Sequence, residues 1–275
     1  MGTALEALGC DCSAPAWSAR AVIERPRAVR TLHRAYVNAG AEVITACTFR
    51  TTPRALGDGW EQAACSAVRL ALEGASDLAH VAGSIAPVCD CWKPELSPGA
   101  GAEPEHRALA RVLADAGCSL LLCETLSHPD EAVAATRAAV STGLEVWTAL
   151  TAGYRCDLLT PEQLASIGRR AAEEGAGAVL VNCVPADRTL EYLQALLAAL
   201  PAGVGAGCYA NAGQADSACA GRSPDACRRY AEYARDWLEA GARIIGGCCG
   251  TWPEHIEAVA RMLGKRGRGG IRTHE

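Results

Sequence analysis

Nowhere in the 275 residues is there a run of the roughly 18–20 apolar residues that a bilayer-spanning helix needs. The N-terminus has no basic segment followed by an apolar one, so a secretory signal is not expected. Met1-Gly2 opens like a myristoylation signal, but Glu6 stands where Ser or Thr is required. No basic face dominates: 26 Lys and Arg face 31 Asp and Glu, for a net charge of -5 and a pI near 5.7. That balance argues against a nucleic-acid partner or a membrane surface. No G-x-G-x-x-G follows an apolar run, which counts against the dinucleotide-binding kind of α/β sheet. Internal linkers and low-complexity segments are also missing until the end of the chain. These absences read as a soluble, intracellular protein, expected in the cytoplasm, and they leave the oligomeric state open.

What is present alternates between two textures. Short runs rich in Val, Ile and Leu, at 42–47, 80–85, 119–123, 145–150, 178–183, 204–209 and 243–246, read as strands. Between and around them lie helical stretches near 26–39, 60–76, 105–116, 129–142, 161–174, 187–200, 224–240 and 253–263. Thr160-Pro161 and Ser223-Pro224 place a hydroxyl cap before a first-turn proline. Gly40, Gly117, Gly175 and Gly241 stand just past helical stretches as stop signals. Continuously apolar strands are buried on both faces, as parallel strands covered by helices are. The count predicts a (β/α)₈ TIM-type barrel with its first strand missing or truncated; a doubly wound sheet is the second choice on pattern alone. The barrel domain is expected over residues 1–264, followed by a disordered basic tail over 265–275 with Lys265, Arg266, Arg268 and Arg272. The longest irregular stretch, 87–103, lies on the C-terminal side of a strand, where barrel loops carry function.

Fifteen cysteines, without a signal peptide, are expected to be mostly buried thiols with a special subset. Cys183 ends one predicted strand, in Val181-Asn182-Cys183, and Cys248-Cys249 follow the last, in Gly246-Gly247-Cys248-Cys249-Gly250. A barrel brings both segments to its C-terminal rim, where active sites are built. The flanking glycines permit backbone angles that turn both neighbouring thiols inward. Three thiolates would fill three tetrahedral positions on Zn²⁺ and leave the fourth for substrate. With a substrate thiolate added, the complex carries a formal charge of -2, which keeps the bound sulfur nucleophilic and suits alkyl transfer better than hydrolysis. Cys10/Cys12 and Cys89/Cys91 form C-x-C pairs that could bind metal or oxidise, although no second C-x₂-C accompanies them.

The strings Val-Asn-Cys at 181–183 and Gly-Gly-Cys-Cys-Gly-Thr at 246–251 resemble the zinc-ligand motifs of the homocysteine S-methyltransferase family. The resemblance runs over roughly residues 1–263 and includes Gly83-Ser84, Glu124-Thr125, Tyr209-Ala210-Asn211-Ala212-Gly213 and Pro253-Glu254-His255-Ile256. It implies a (β/α)₈ barrel, Zn²⁺ on Cys183, Cys248 and Cys249, homocysteine bound through its thiolate, and methionine as product. It also implies that Glu124 meets the amino group of homocysteine and that Asn211 lines the substrate pocket. Two departures stand out. The family places a strand ending in Asp-Gly-Gly before Gly-Thr, whereas here Met1 precedes Gly2-Thr3, so that strand and its Asp are expected to be absent. The family's Thr-Asn-Thr-Phe is replaced by Ala46-Cys47-Thr48-Phe49, which predicts a changed pocket polarity.

The expected activity is methyl transfer to homocysteine from a sulfonium donor, S-methylmethionine or S-adenosylmethionine. Corrinoid or folate donors call for further domains, and betaine is less favoured. Methylation of another thiol or selenol, and a catalytically inactive zinc-binding barrel, are the competing readings.

Overall fold

The computed structural model describes residues 1–213 and 217–265. The chain opens with three helices, α1 (Gly2–Ala7), α2 (Ala19–Glu24) and α3 (Pro26–Asn38). Strands and helices then alternate: β1 (Val43–Thr45), α4 (Pro53–Leu56), α5 (Trp60–Ala75), β2 (His80–Ile85), α6 (Glu103–Asp115), β3 (Leu120–Leu126) and α7 (Pro129–Val140). The second half continues with β4 (Glu145–Leu150), α8 (Pro161–Glu173), β5 (Ala178–Pro185), α9 (Thr189–Ala199), β6 (Gly205–Asn211), α10 (Pro224–Ala240), β7 (Ile244–Gly247) and α11 (Pro253–Met262). All seven strands are parallel and pair in chain order, so every connection steps to the next strand with a helix outside. The result is a curled α/β sheet of the TIM-barrel kind, as the pattern predicts.

Local signals act where expected. The Thr160 side chain accepts from Gln163 N in a capping box, and the Ser223 side chain accepts from Ala226 N. Gly40, Gly117, Gly175 and Gly241 all have φ between +100° and +118°, a region in which a Cβ is strained.

Side chains alternate across each strand. On β3, Leu121 and Cys123 belong to the large core between sheet and helices, whereas Leu120 and Leu122 belong to a separate lumen cluster. Ala82, Ala149, Ala178 and Leu180 complete the lumen, with Trp147 and Tyr209 packed against them. All seven residues of β3 are buried, the two-sided burial expected of a parallel strand.

Among the described residues no strand joins β7 to β1, in keeping with the expected missing strand. The seam is covered by helices instead. α11 contacts α3, and a Cβ on Gly40 would come 2.9 Å from Ala260 Cβ. α1 and α3 reach the loop after β7: Thr3 Oγ1 accepts from Gly250 N at 3.2 Å, and Tyr36 OH donates to Thr251 O at 3.0 Å. No helix among the described residues is long and apolar enough to cross a membrane. The predicted basic tail falls almost wholly on 266–275, outside the described residues; Lys265 at its border pairs with Glu42 at 2.7 Å.

Candidate metal and substrate site

The lumen changes character toward the C-terminal ends of the strands. Below, it is lined by Leu, Ala and Trp; above, the alternation brings in Ser84, Glu124, Asn182, Tyr209 and Asn211. Glu124 lies at the centre of a hydrogen-bonded set. Ser84 Oγ donates to its Oε1, and Tyr209 OH donates to Oε2 at 2.9 Å from the other side of the lumen. Ser84 is fixed in turn, because its backbone N–H and C=O both bond Thr48 Oγ1 at 2.9 Å. Burial raises the Glu124 pKa, and the Ser84 and Tyr209 hydrogen bonds pull it back toward the ionised form. No side-chain cation pairs with it among the described residues. A buried carboxylate with two hydroxyl donors and no ion-pair partner among the described residues, where the N-terminal ammonium acts only through its field, is prepared for a cationic guest.

Two strand ends depart from regular geometry. Strict alternation would send Cys183, like Val181, to the outer face. Cys183 instead has φ +51°, and the β5–β6 register slips between Asn182 and Pro185. The end of β3 repeats the device, with Thr125 at φ +60° and a slip between Cys123 and Leu126. A left-handed β-branched residue is uncommon and strained, and such strain gathers at functional rims. The two ends are tied together by Asn182 Nδ2, which donates to Thr125 Oγ1 at 2.8 Å.

Cys248 and Cys249 occupy the turn after β7. The glycines around them are needed there: a Cβ on Gly247 would come 2.5 Å from Thr251 Oγ1, and Gly250 has φ +74°. Thr251 Oγ1 closes the turn by donating to Cys248 O at 2.7 Å. Asn211 joins this turn to β5, since its Nδ2 donates to Cys183 O at 2.9 Å and its Oδ1 accepts from Cys249 N at 3.0 Å.

The three predicted cysteines therefore meet. Their sulfurs all lie within 4.8 Å of one another, the sulfurs of Cys183 and Cys248 being joined as a disulfide and Cys249 Sγ standing 3.9 Å from Cys183 Sγ. Thiolates about 2.3 Å from a tetrahedral zinc are separated by roughly 3.8 Å, and the 3.9 Å between the sulfurs of Cys183 and Cys249 matches one edge of such a site. The donor set fits a soft, thiophilic cation. Cys249 is exposed at the rim, and desolvation by the protein around its thiol still raises its pKa. Neither C-x-C pair joins a metal-capable group among the described residues.

The match of the chain to known proteins is consistent over its length. The family model described as homocysteine S-methyltransferase matches residues 1–263. The chain belongs to the homocysteine S-methyltransferase family. Among curated members, the homocysteine S-methyltransferase of Escherichia coli K12 is 29% identical, covering 94% of this chain and 92% of its own length. The S-methylmethionine–homocysteine S-methyltransferase BHMT2 of Mus musculus is 30% identical, covering 90% of this chain and 72% of its own. The crystal structure of the metallated form of the homocysteine methyltransferase MmuM from Escherichia coli superposes with a TM-score of 0.77 at 25% identity, covering 95% of this chain and 93% of that one.

The structure brings the three cysteines named from the sequence within 4.8 Å of one another and bonds Asn211 to the backbone of two of them. Sequence reasoning did not find the Ser84–Glu124–Tyr209 set, because the period-2 alternation that points all three into the lumen becomes meaningful only once strand register is known. One expectation is corrected. The thiol that replaces an amide at Cys47 is expected to alter the pocket, but Cys47 is the central residue of a tight turn in which Thr48 N donates to Ala46 O at 2.7 Å. Cys47 buries its sulfur among Leu5, Cys10 and Val22 and donates to Ser18 O at 3.4 Å, away from the lumen set.

Proposed function

We propose that this protein transfers a methyl group from a sulfonium donor, S-methylmethionine or S-adenosylmethionine, to the thiolate of L-homocysteine, forming methionine with Zn²⁺ on Cys183, Cys248 and Cys249. The observation that carries this reading is the meeting of three cysteine sulfurs at the rim above a buried carboxylate that forms no ion pair among the described residues. S-methylmethionine appears in the name of the mouse relative, which makes it the first donor to try.

Each part of the site then has a task. Glu124, held by Ser84 and Tyr209, receives the ammonium group of homocysteine and fixes the distance from that group to the rim. Asn211 keeps the Cys183 and Cys249 segments in mutual register. Bound zinc would supply positive charge that lowers the acceptor thiol's pKa, so that its proton departs before methyl transfer. In the transfer itself the acceptor sulfur's electron pair forms the new S–CH₃ bond, and the pair of the breaking C–S bond stays with the donor sulfur. A thiolate and a sulfonium become two neutral thioethers, so charge is annihilated along the reaction and a water-poor lumen does not oppose it. A reducing compartment such as the cytoplasm keeps the three thiols available.

The test is methionine formation by reduced, zinc-loaded protein from homocysteine and each donor in turn, alongside metal analysis of Cys183→Ala and Cys248→Ala. Both variants should lose zinc and turnover. Full zinc content in either would remove that residue from the ligand set, and inactivity with every donor would favour a non-catalytic barrel.

A further inference from the structure

We propose that Arg50 binds the carboxylate of an amino-acid substrate at the mouth of the barrel, an inference that rests on the reading of the reaction as transfer between two amino acids. Arg50 follows the end of β1 and is only 7% exposed. Its guanidinium carbon lies 5.1 Å from the ring centroids of both Trp17 and Phe49, which stack on each other at 5.5 Å and 12°. Nη1 donates to Pro87 O at 2.7 Å, which fixes one corner of the plane. A guanidinium has five N–H donors, and one carbonyl leaves most of them without a protein acceptor.

The charge is also uncompensated. No carboxylate lies within ion-pair distance of Arg50 among the described residues. Of the acids whose field reaches it, Glu131 is occupied by Val88 N, Ser97 Oγ and His106, and Asp90 caps its own turn through Trp92 N. Arg54, four residues on, shows the opposite arrangement, being exposed and paired with Glu105 through two bonds of 2.6 and 2.7 Å. Nε and Nη2 are not closed off from solvent, so a largely buried planar cation held by two rings and a carbonyl keeps donors open to an anion from outside the chain. Its fork matches a carboxylate. The position is right for a substrate: Arg50 lies two residues past Thr48, whose Oγ1 holds Ser84 and through it Glu124, and its anchor Pro87 follows β2, so the guanidinium sits in the loops at the same C-terminal rim as the Glu124 set.

Two sources of carboxylate meet there, the methyl donor and homocysteine. Calorimetric titration of the full chain, wild type and Arg50→Gln, separates them. The probes are S-methylmethionine with its decarboxylated counterpart (3-aminopropyl)dimethylsulfonium, and homocysteine with 3-aminopropane-1-thiol. At least one carboxylated ligand should bind roughly 10- to 100-fold more weakly to Arg50→Gln, with its decarboxylated counterpart unchanged. Arg50→Lys, which keeps charge but not the fork, should fall between and carries the test if Arg50→Gln does not fold. Equal weakening within each pair would mean that Arg50 only fastens Pro87, and would overturn the proposal. So would no weakening, or no binding of either carboxylated ligand to wild type. The readout is independent of turnover: an inactive enzyme with the expected binding pattern would refute the methyl-transfer reading alone, and an active one indifferent to Arg50→Gln would refute this site alone.

Discussion

At the scale of single residues, Asn211 connects the two halves of the cysteine trio without contributing a sulfur. One end of its amide holds the carbonyl of Cys183 and the other holds the N–H of Cys249, so an error in either segment is transmitted through one side chain. Groups that orient metal ligands in this way are worth about 10- to 100-fold in metal affinity. Asn211→Ala should therefore retain the fold but release zinc to a chelator at roughly 10- to 100-fold lower chelator activity than wild type. The competition titration is read by a chromophoric chelator on reduced protein. An unchanged titration would show that the turn after β7 is held by its glycines and Thr251 alone. The trio itself was legible in the sequence because a vicinal cysteine pair among glycines has little packing rationale. Asn211 was legible only through resemblance, and its double role was not, since both of its partners are backbone atoms. Sequence reasoning missed Arg50 as well: an arginine three residues past the expected strand 42–47 reads as a solvated charge until its burial is known.

At the scale of elements, strand and helix positions followed from periodicity to within a few residues, and the departures have physical causes. β3 and β5 run past their expected ends, to Leu126 and Pro185, because a left-handed residue in each lets pairing resume after a slip. No propensity announces a left-handed Thr125 or Cys183. α1 and α2 are six residues each and were not foreseen as separate helices, being too short to show a helical period. The packing of α3 on α5 makes its own prediction. His33 on α3 is fully buried, both ring nitrogens lack partners, and a Cβ on Gly74 of α5 would come 2.5 Å from its Cβ. Burial, aided by the N-terminal charge, lowers its pKa from 6.5 to about 3. Below pH 6.5 the unfolded chain takes up a proton that the folded chain refuses, so stability is full above that pH and declines as pH falls toward 3. The slope from this one group approaches about 1.4 kcal/mol per pH unit. His33→Leu should match wild type at pH 7.5 and become progressively more stable than it at pH 6, 5 and 4, as followed by urea midpoints. Parallel curves for the two proteins would rule out His33 as a source of acid sensitivity.

At the scale of the whole molecule, the site exists only when the sheet has curled. Cys183 and Cys248 are 65 residues apart, and Cys248 is positioned by a seam that α1, α3 and α11 cover from outside. A ligand that binds only the folded chain stabilises it by mass action, by about 4 kcal/mol when present at a thousand times its dissociation constant. For a chain of this size that corresponds to a rise in Tm of roughly 8–15 °C. The Cys183–Cys248 disulfide and a metal compete for the same sulfurs, because a sulfur bonded to sulfur has no thiolate to offer. The zinc-induced increment in Tm should accordingly be large in reduced protein and absent after oxidation of that pair. Comparing the increment within each redox state, rather than Tm between states, removes the disulfide's own effect on the unfolded chain. Cys249→Ser should lose most of the increment while remaining able to form the disulfide, which separates a three-sulfur site from two sulfurs acting alone. An equal increment in oxidised and reduced protein would place the bound ion elsewhere on the molecule.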